Sequence, residues 1–161
     1  TARQLMELYR VPMWKFILMA RESQKLLYQN ITSIQLFPGI ESALRAIARQ
    51  NVAIAVVTSN QLCNVLAVLG EELAGLVSVF ECEAGFFTKA RKLRSALRQA
   101  GVKPGEAVSF GDESRDIEAA RKVGIPCAAV TWGYAHGEVL RHHQPDYLLT
   151  SVDQIMGIVA E

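Results

Sequence analysis

Apolar and polar positions alternate in two different ways along this chain. Residues 1–30 read as helix throughout, with Leu5, Leu8, Trp14, Ile17, Leu18, Leu26 and Leu27 at helical intervals, and Pro12 divides the stretch into two helices. After a short connection over 31–37, helical stretches alternate with short, uninterrupted apolar runs. Pro38-Gly39 opens a helix carrying Ile40, Leu44, Ile47 and Ala48, which stops at Asn51. Residues 52–57 form an apolar, β-branched run that predicts a buried strand, followed by Thr58-Ser59-Asn60 and an amphipathic helix to about Leu69. Residues 75–82 are a weaker strand candidate, and Phe86-Phe87-Thr88-Lys89 leads into a basic helix through Ala100. Residues 107–110 predict a strand that stops at Gly111; a helix follows with Ile117, Ala120 and Val123 on one face and Gly124 as its C′ residue. Residues 127–130 and 147–149 predict two more strands, separated by a polar segment with His136, His142 and His143, and 152–159 a closing helix. From Pro38 onward this alternation predicts an α/β fold, a parallel sheet with helices on both faces.

Composition narrows the class more than the function. The 161 residues suit one domain with a sizeable core, half of them hydrophobic and a fifth charged. A net charge of +1 offers no broad basic surface, so neither nucleic acid nor an anionic membrane is an expected partner. Cys63, Cys82 and Cys127 form no Cys-x-x-Cys pair, which predicts three buried thiols in a reducing, cytoplasmic setting. No apolar run reaches the length of a membrane span.

The candidate chemistry falls at strand ends, where open parallel sheets place their ligands. Thr58, with Ser59, Asn60 and the N–H groups opening the next helix, suits phosphate oxygens. Lys89 suits charge neutralisation on a phosphoryl group. Asp112, backed by Asp116, suits Mg²⁺, which takes one or two carboxylates with waters and substrate oxygens. Each has a plainer alternative: Thr58 and Asp112 as helix caps, Asp116 at the positive end of a helix, Lys89 as a solvated charge. Arg91, Lys92, Arg94 and Arg98 read as a solvated helix face, and Trp132 and Tyr134 as packing. Glu113 favours the helix N-terminus. The three histidines with Asp146 lack the spacing of a zinc site and read as a surface loop.

Taken together, these segments resemble the haloacid dehalogenase-like hydrolases. Ala55-Val56-Val57-Thr58-Ser59-Asn60 is similar to the family's second motif, Lys89 in Phe87-Thr88-Lys89-Ala90 to its third, and Gly111-Asp112-Glu113-Ser114-Arg115-Asp116 to its fourth, Gly-Asp-x-x-x-Asp. The flanks of the fourth motif, through Val130-Thr131-Trp132-Gly133-Tyr134 and Pro145-Asp146-Tyr147, resemble the phosphoglycolate-phosphatase-like branch. The resemblance implies a Rossmann-like core over 37–161, a remnant of a small helical cap over 1–36, and Mg²⁺-dependent hydrolysis of a small phosphorylated metabolite through an aspartyl-phosphate. In that scheme Thr58, Ser59 and Asn60 bind phosphate, Lys89 is catalytic, Asp112 holds the metal and Asp116 supports it from behind.

One part of the pattern is absent. The family's first motif, Asp-x-Asp after a central first strand, supplies the nucleophile, yet the four aspartates here are Asp112, Asp116, Asp146 and Asp153, none in such a motif. Glu7 and Glu22 sit in helical patterns and do not replace it. Losing that strand would strip backbone partners from both neighbours, at about 1–3 kcal/mol for each buried group left unpaired. The expectation is therefore a preceding segment in the native protein; an intact mass of 17.7 kDa would sink it. The rivals are a non-catalytic interaction module with the same fold, and an enzyme of the same family with mutase or dehalogenase chemistry.

Overall fold

The protein is described here by a computed structural model, which covers residues 28–82 and 89–159 together with Pro12, Lys15, Leu18, Met19, Glu22, Lys25 and Leu26. Most of the helical run expected over 1–30 therefore lies outside the described residues, as do Phe87 and Thr88. Lys15, Leu18, Met19, Glu22, Lys25, Leu26, Tyr28 and Gln29 are helical.

The elements are α1 (Ile40–Arg49), β1 (Ala55–Val57), α2 (Leu62–Ala74), β2 (Val79–Glu81), α3 (Lys89–Ala100), β3 (Ser109–Gly111), α4 (Ser114–Val123), β4 (Cys127–Val130), α5 (Gly137–His142), β5 (Tyr147–Leu149) and α6 (Ile155–Val159), with short 3₁₀ turns at Ile31–Ser33, Pro104–Glu106 and Val152–Gln154. All strand pairs are parallel. No described helix is long and apolar enough to cross a membrane.

β4 shows why the sequence folds this way. Its four residues are all buried, as a strand covered on both faces must be. Side chains alternate across a strand. Cys127 and Ala129 join Leu93 and Leu97 of α3, Ile117 and Ala120 of α4 and Leu140 of α5; Ala128 and Val130 join Ala43 of α1, Leu149 and Ile155. Ala120, Ala128 and Ala129 are fully buried, so small residues let helices approach the sheet closely. Ile117 and Leu140, 1% and 0% exposed, fill the first layer, and truncating either to Ala would cost about 2–5 kcal/mol. Gly124 ends α4 in the left-handed region (φ 80°), its N–H donating to the carbonyls of Ala120 and Arg121.

Three readings of the pattern change. The helix expected to end near Leu69 runs to Ala74, but with non-helical angles at Gly70 (φ 69°, ψ 168°), so its regular part does end there. The segment with the histidines contains a helix, α5, anchored by Leu140; a single apolar anchor in six residues is too little to show periodicity. The run 52–57 is less buried than its composition suggests: Val52 is 41% exposed, and Ala53 and Ala55 are exposed too.

The reason for that exposure is the sheet itself. β1 pairs with β2 (Ala55 with Val79, Val57 with Glu81), and β3, β4 and β5 form a separate sheet in that order. Among the described residues no pairing joins β1 to β3. The strands ending at Thr58 and Gly111 thus belong to different sheets, each with an edge where a continuous Rossmann-like sheet would have a neighbour.

Candidate active site

The turn after β1 is built by its own polar groups and held from two helices. Thr58 N–H donates to the Glu81 carbonyl at 3.0 Å, extending the β1–β2 ladder one residue. Thr58 Oγ1 accepts the Asn60 N–H at 3.1 Å, a Ser/Thr turn, so Thr58 is not the cap of α2; Gln61 holds that position. Asn60 Oδ1 accepts from Gln61 N–H and from Asn64 Nδ2, both at 2.9 Å. Asn64 is fully buried in the first turn of α2 and braces the turn from that side.

From the other side comes α3. Lys92 is 9% exposed and donates its ammonium to the Thr58 carbonyl at 2.6 Å. It does not belong to the solvated basic face, where Arg91, Arg94 and Arg98 do lie exposed. One turn earlier on the same helix, Lys89 forms an ion pair with Asp116 Oδ1. Positions three apart share a helix face, so α3 delivers one ammonium to the end of β1 and another to the start of α4.

Asp116 is 2% exposed and both its oxygens are engaged. Oδ1 takes the Lys89 ammonium; Oδ2 accepts the N–H groups of Asp112 at 3.1 Å and Glu113 at 3.2 Å. Asp116 thereby closes the strand-to-helix turn that carries Asp112. The fit leaves no room at Gly111, where a Cβ would stand 2.4 Å from the Asp116 Cβ. Asp112 is held by the loop after β4: its Oδ2 accepts the Tyr134 N–H at 2.8 Å and its carbonyl the Ala135 N–H at 3.1 Å. Asp112 does not cap α4, whose N-cap is Glu113. Glu113 itself pairs with Arg115 at 2.5 Å.

The other candidates go elsewhere. His143 lies 3.9 Å from Glu118, Arg121 donates to the carbonyls of His143 and Gln144, and His142 meets His143 edge to face. Asp146 accepts the Cys127 N–H at 2.8 Å and so braces the start of β4. His136 precedes α5 and is exposed. Trp132 packs on the second core layer, whereas Tyr134 is 85% exposed beside the Asp112 loop. Of the thiols expected to be buried, only Cys127 is; Cys63 is exposed on α2 and Cys82 intermediate. Burial, then the Asp116 and Asp146 carboxylates, push the Cys127 thiol up to about 11.

The site is thus continuous in space. Thr58 is contacted by Lys92, which shares a face of α3 with Lys89; Lys89 pairs with Asp116, and Asp116 accepts the Asp112 N–H. Lys92, Asn64 and Gly133, whose lack of a side chain leaves room for the Asp112 carboxylate, are the members that sequence reasoning missed. Lys92 carried a signal, since it falls on the stripe with Leu93, Ala96 and Leu97, all buried. As a donor set the site offers Asp112, an oxygen ligand of the kind Mg²⁺ takes; among the described residues no three His, Cys, Asp or Glu gather as a metal cage. A lone carboxylate suits Mg²⁺, which keeps waters and takes phosphate oxygens.

Comparisons with known proteins bear on the family and the fold. The sequence model of the haloacid dehalogenase-like hydrolases matches residues 1–130. A phosphoglycolate phosphatase of Synechococcus elongatus is 30% identical over 92% of this chain and 70% of its own length. The chain spans about half, 46%, of a second such relative, from Pseudomonas aeruginosa, and 63% of a third, from Nitrosococcus oceani. The fold is similar to that of a predicted phosphatase from Clostridium acetobutylicum, with a TM-score of 0.87 at 22% identity over 99% of this chain and 76% of the other. It is also similar to CbbY of Rhodobacter sphaeroides, solved in complex with phosphate, with a TM-score of 0.68 at 26% identity over 81% and 61%. With strand-end threonine, helix-leading lysine and Gly-Asp-x-x-x-Asp turn in one connected network, and with most of its length matched, this chain belongs to the haloacid dehalogenase-like hydrolases.

Proposed function

We propose that this chain forms the greater part of a Mg²⁺-dependent phosphatase for a small phosphomonoester of the phosphoglycolate kind. The observation that carries the reading is that one helix, α3, reaches both strand ends: Lys92 contacts Thr58, and Lys89 contacts Asp116, which in turn holds the backbone of Asp112. It gathers phosphate-binding, charge-neutralising and metal-binding groups at the carboxyl ends of β1 and β3, where a parallel sheet binds its ligand.

In this reading Thr58, Ser59 and Asn60 receive the phosphoryl oxygens, with the Thr58 hydroxyl and the Ser59 N–H as donors. Lys89 stands against the charge that develops on the phosphoryl group, its position fixed by Asp116. Asp112 holds Mg²⁺, oriented by the Tyr134 N–H; the bound ion would shield phosphate charge from the attacking carboxylate. Asp116 does not ligate, because its oxygens are already engaged. The attacking aspartate, which forms the aspartyl-phosphate, comes from a strand outside this chain that pairs between β1 and β3. Residues 1–36 are part of the cap that selects the substrate.

Protein expressed from the complete gene is expected to hydrolyse p-nitrophenyl phosphate with Mg²⁺, to stop when the metal is chelated, and to lose activity in Asp112→Ala. Activity unchanged in that variant refutes the assignment. A complete gene without an Asp-x-Asp upstream of Thr1 favours the non-catalytic module instead.

A further inference from the structure

Lys92 is the buried charge that the proposed chemistry does not use. It sits on the apolar stripe of α3 beside Leu93, Ala96 and Leu97, a place where an aliphatic residue would satisfy packing. Lysine is rarely so deeply buried without a task, since burial disfavours its charged form. Its ammonium reaches the carbonyl of Thr58, at 2.6 Å, at the point where β1 gives way to the turn.

We propose that Lys92 is a positioning residue of the phosphate site, aiming the Thr58–Ser59 peptide and charging the turn from behind; the inference deepens the phosphatase reading and rests on it. A peptide unit is planar, and none in the described chain is cis, so its C=O and N–H point in opposite directions. An ammonium drawing the Thr58 carbonyl towards α3 turns the Ser59 N–H the other way, to the outer side of the turn. The same contact polarises that peptide and strengthens its N–H as a donor. Asn64, through Asn60, fixes the far end of the turn. The turn is thereby held from α2 and α3 before any anion arrives, which is what preorganisation for an anion requires. Lys89 and Lys92 divide the work: Lys89 faces the reaction, and Lys92 shapes the cradle.

The test uses protein expressed from the complete gene, with inorganic phosphate as the probe. Lys92→Met keeps the aliphatic stem and removes the charge and the donor. It is expected to raise the phosphate inhibition constant about tenfold, with KM for p-nitrophenyl phosphate rising in parallel and kcat falling less than about threefold. Lys92→Arg, which keeps charge and donors, is expected to recover most of the phosphate affinity. A folded Lys92→Met with an unchanged phosphate constant overturns the proposal, and so does a variant in which kcat alone falls. Should Lys92→Met not fold, the wild-type protein decides: the Lys92 side-chain NMR resonance must shift on phosphate titration with the same half-saturation as inhibition, and a fixed resonance overturns it. Wild-type protein that does not bind phosphate removes the phosphatase reading and this one together; wild-type binding with Lys92→Met unaffected removes this one alone.

Discussion

Gly133 lies so close to Asp112 that a Cβ on it would stand 2.2 Å from the aspartate's Cβ and 2.5 Å from its Oδ2. The loop after β4 therefore fixes Asp112 twice, by the hydrogen bond from Tyr134 N–H and by the absence of a side chain next door. Gly133→Ala must push the Asp112 carboxylate out of place while leaving the sheet intact. The expected outcome is a folded protein whose Mg²⁺ requirement for p-nitrophenyl phosphate hydrolysis rises about tenfold or more. A metal titration of the activity checks it, and an unchanged half-saturation would show that Asp112 does not hold the ion.

Lys89 and Asp116 make a second prediction, this one about stability. Asp116 is almost wholly buried, and Lys89→Met would leave its charge without the ammonium. Removing one partner of such a pair typically costs about 3–5 kcal/mol. Urea denaturation should show a loss of that size. Adding Asp116→Asn should recover part of the stability and none of the activity, because the neutral amide no longer needs an ammonium whereas the phosphoryl group still does. A double variant no more stable than Lys89→Met would place the cost elsewhere.

Asn64 is a purely structural brace by contrast. Asn64→Leu keeps the branched shape and leaves Asn60 Oδ1 with only its bond to the Gln61 N–H. The expected loss is about 1–3 kcal/mol in a denaturation experiment, together with weaker phosphate inhibition as the turn loosens. Asn64→Leu with wild-type stability and phosphate affinity would show that the turn stands without α2.

The cysteines should separate by burial and by pH. A thiol reagent is expected to modify Cys63 at once, Cys82 more slowly, and Cys127 only on unfolding. The folded state holds the Cys127 proton more tightly than the unfolded chain does, up to about 11 against an ordinary value near 9. Its contribution is therefore complete below pH 9 and is lost as pH climbs towards 11. Wild-type protein should lose more stability than Cys127→Ala between pH 8 and 10.5; equal losses would contradict the shift.

How much of this could be read in the sequence depends on what each element needed from the rest. Cys127–Val130 was legible because a strand buried on both faces must be apolar at every position, and Gly124 because a left-handed residue after a helix is nearly always glycine. Lys89, Asp112 and Asp116 were legible from spacing at strand ends. Lys92 was not, since its charge suggested solvent and only the α3 contact with β1 takes it inside. Gly133 was not, because its reason is a neighbour 21 residues earlier in the chain. The exposure of Val52 and Ala55 was hidden too: composition reports what a strand would bury, not whether its partner is present.

The division of the strands into two sheets has a mechanical meaning. Thr58 rides on one sheet and Asp112 on the other. Across the seam reach two side chains of α3, Lys92 to the turn after β1 and Lys89 to Asp116 of α4. Among the described residues the span between Thr58 and Asp112 is set by helix packing and side-chain contacts, not by a backbone ladder. A strand seated in the seam, hydrogen-bonded to both edges at a spacing of about 4.8 Å each, would act as the gauge block of the site. Under the proposed phosphatase reading, it would set the reach from nucleophile to phosphorus and lock the two halves at a working distance in the same act.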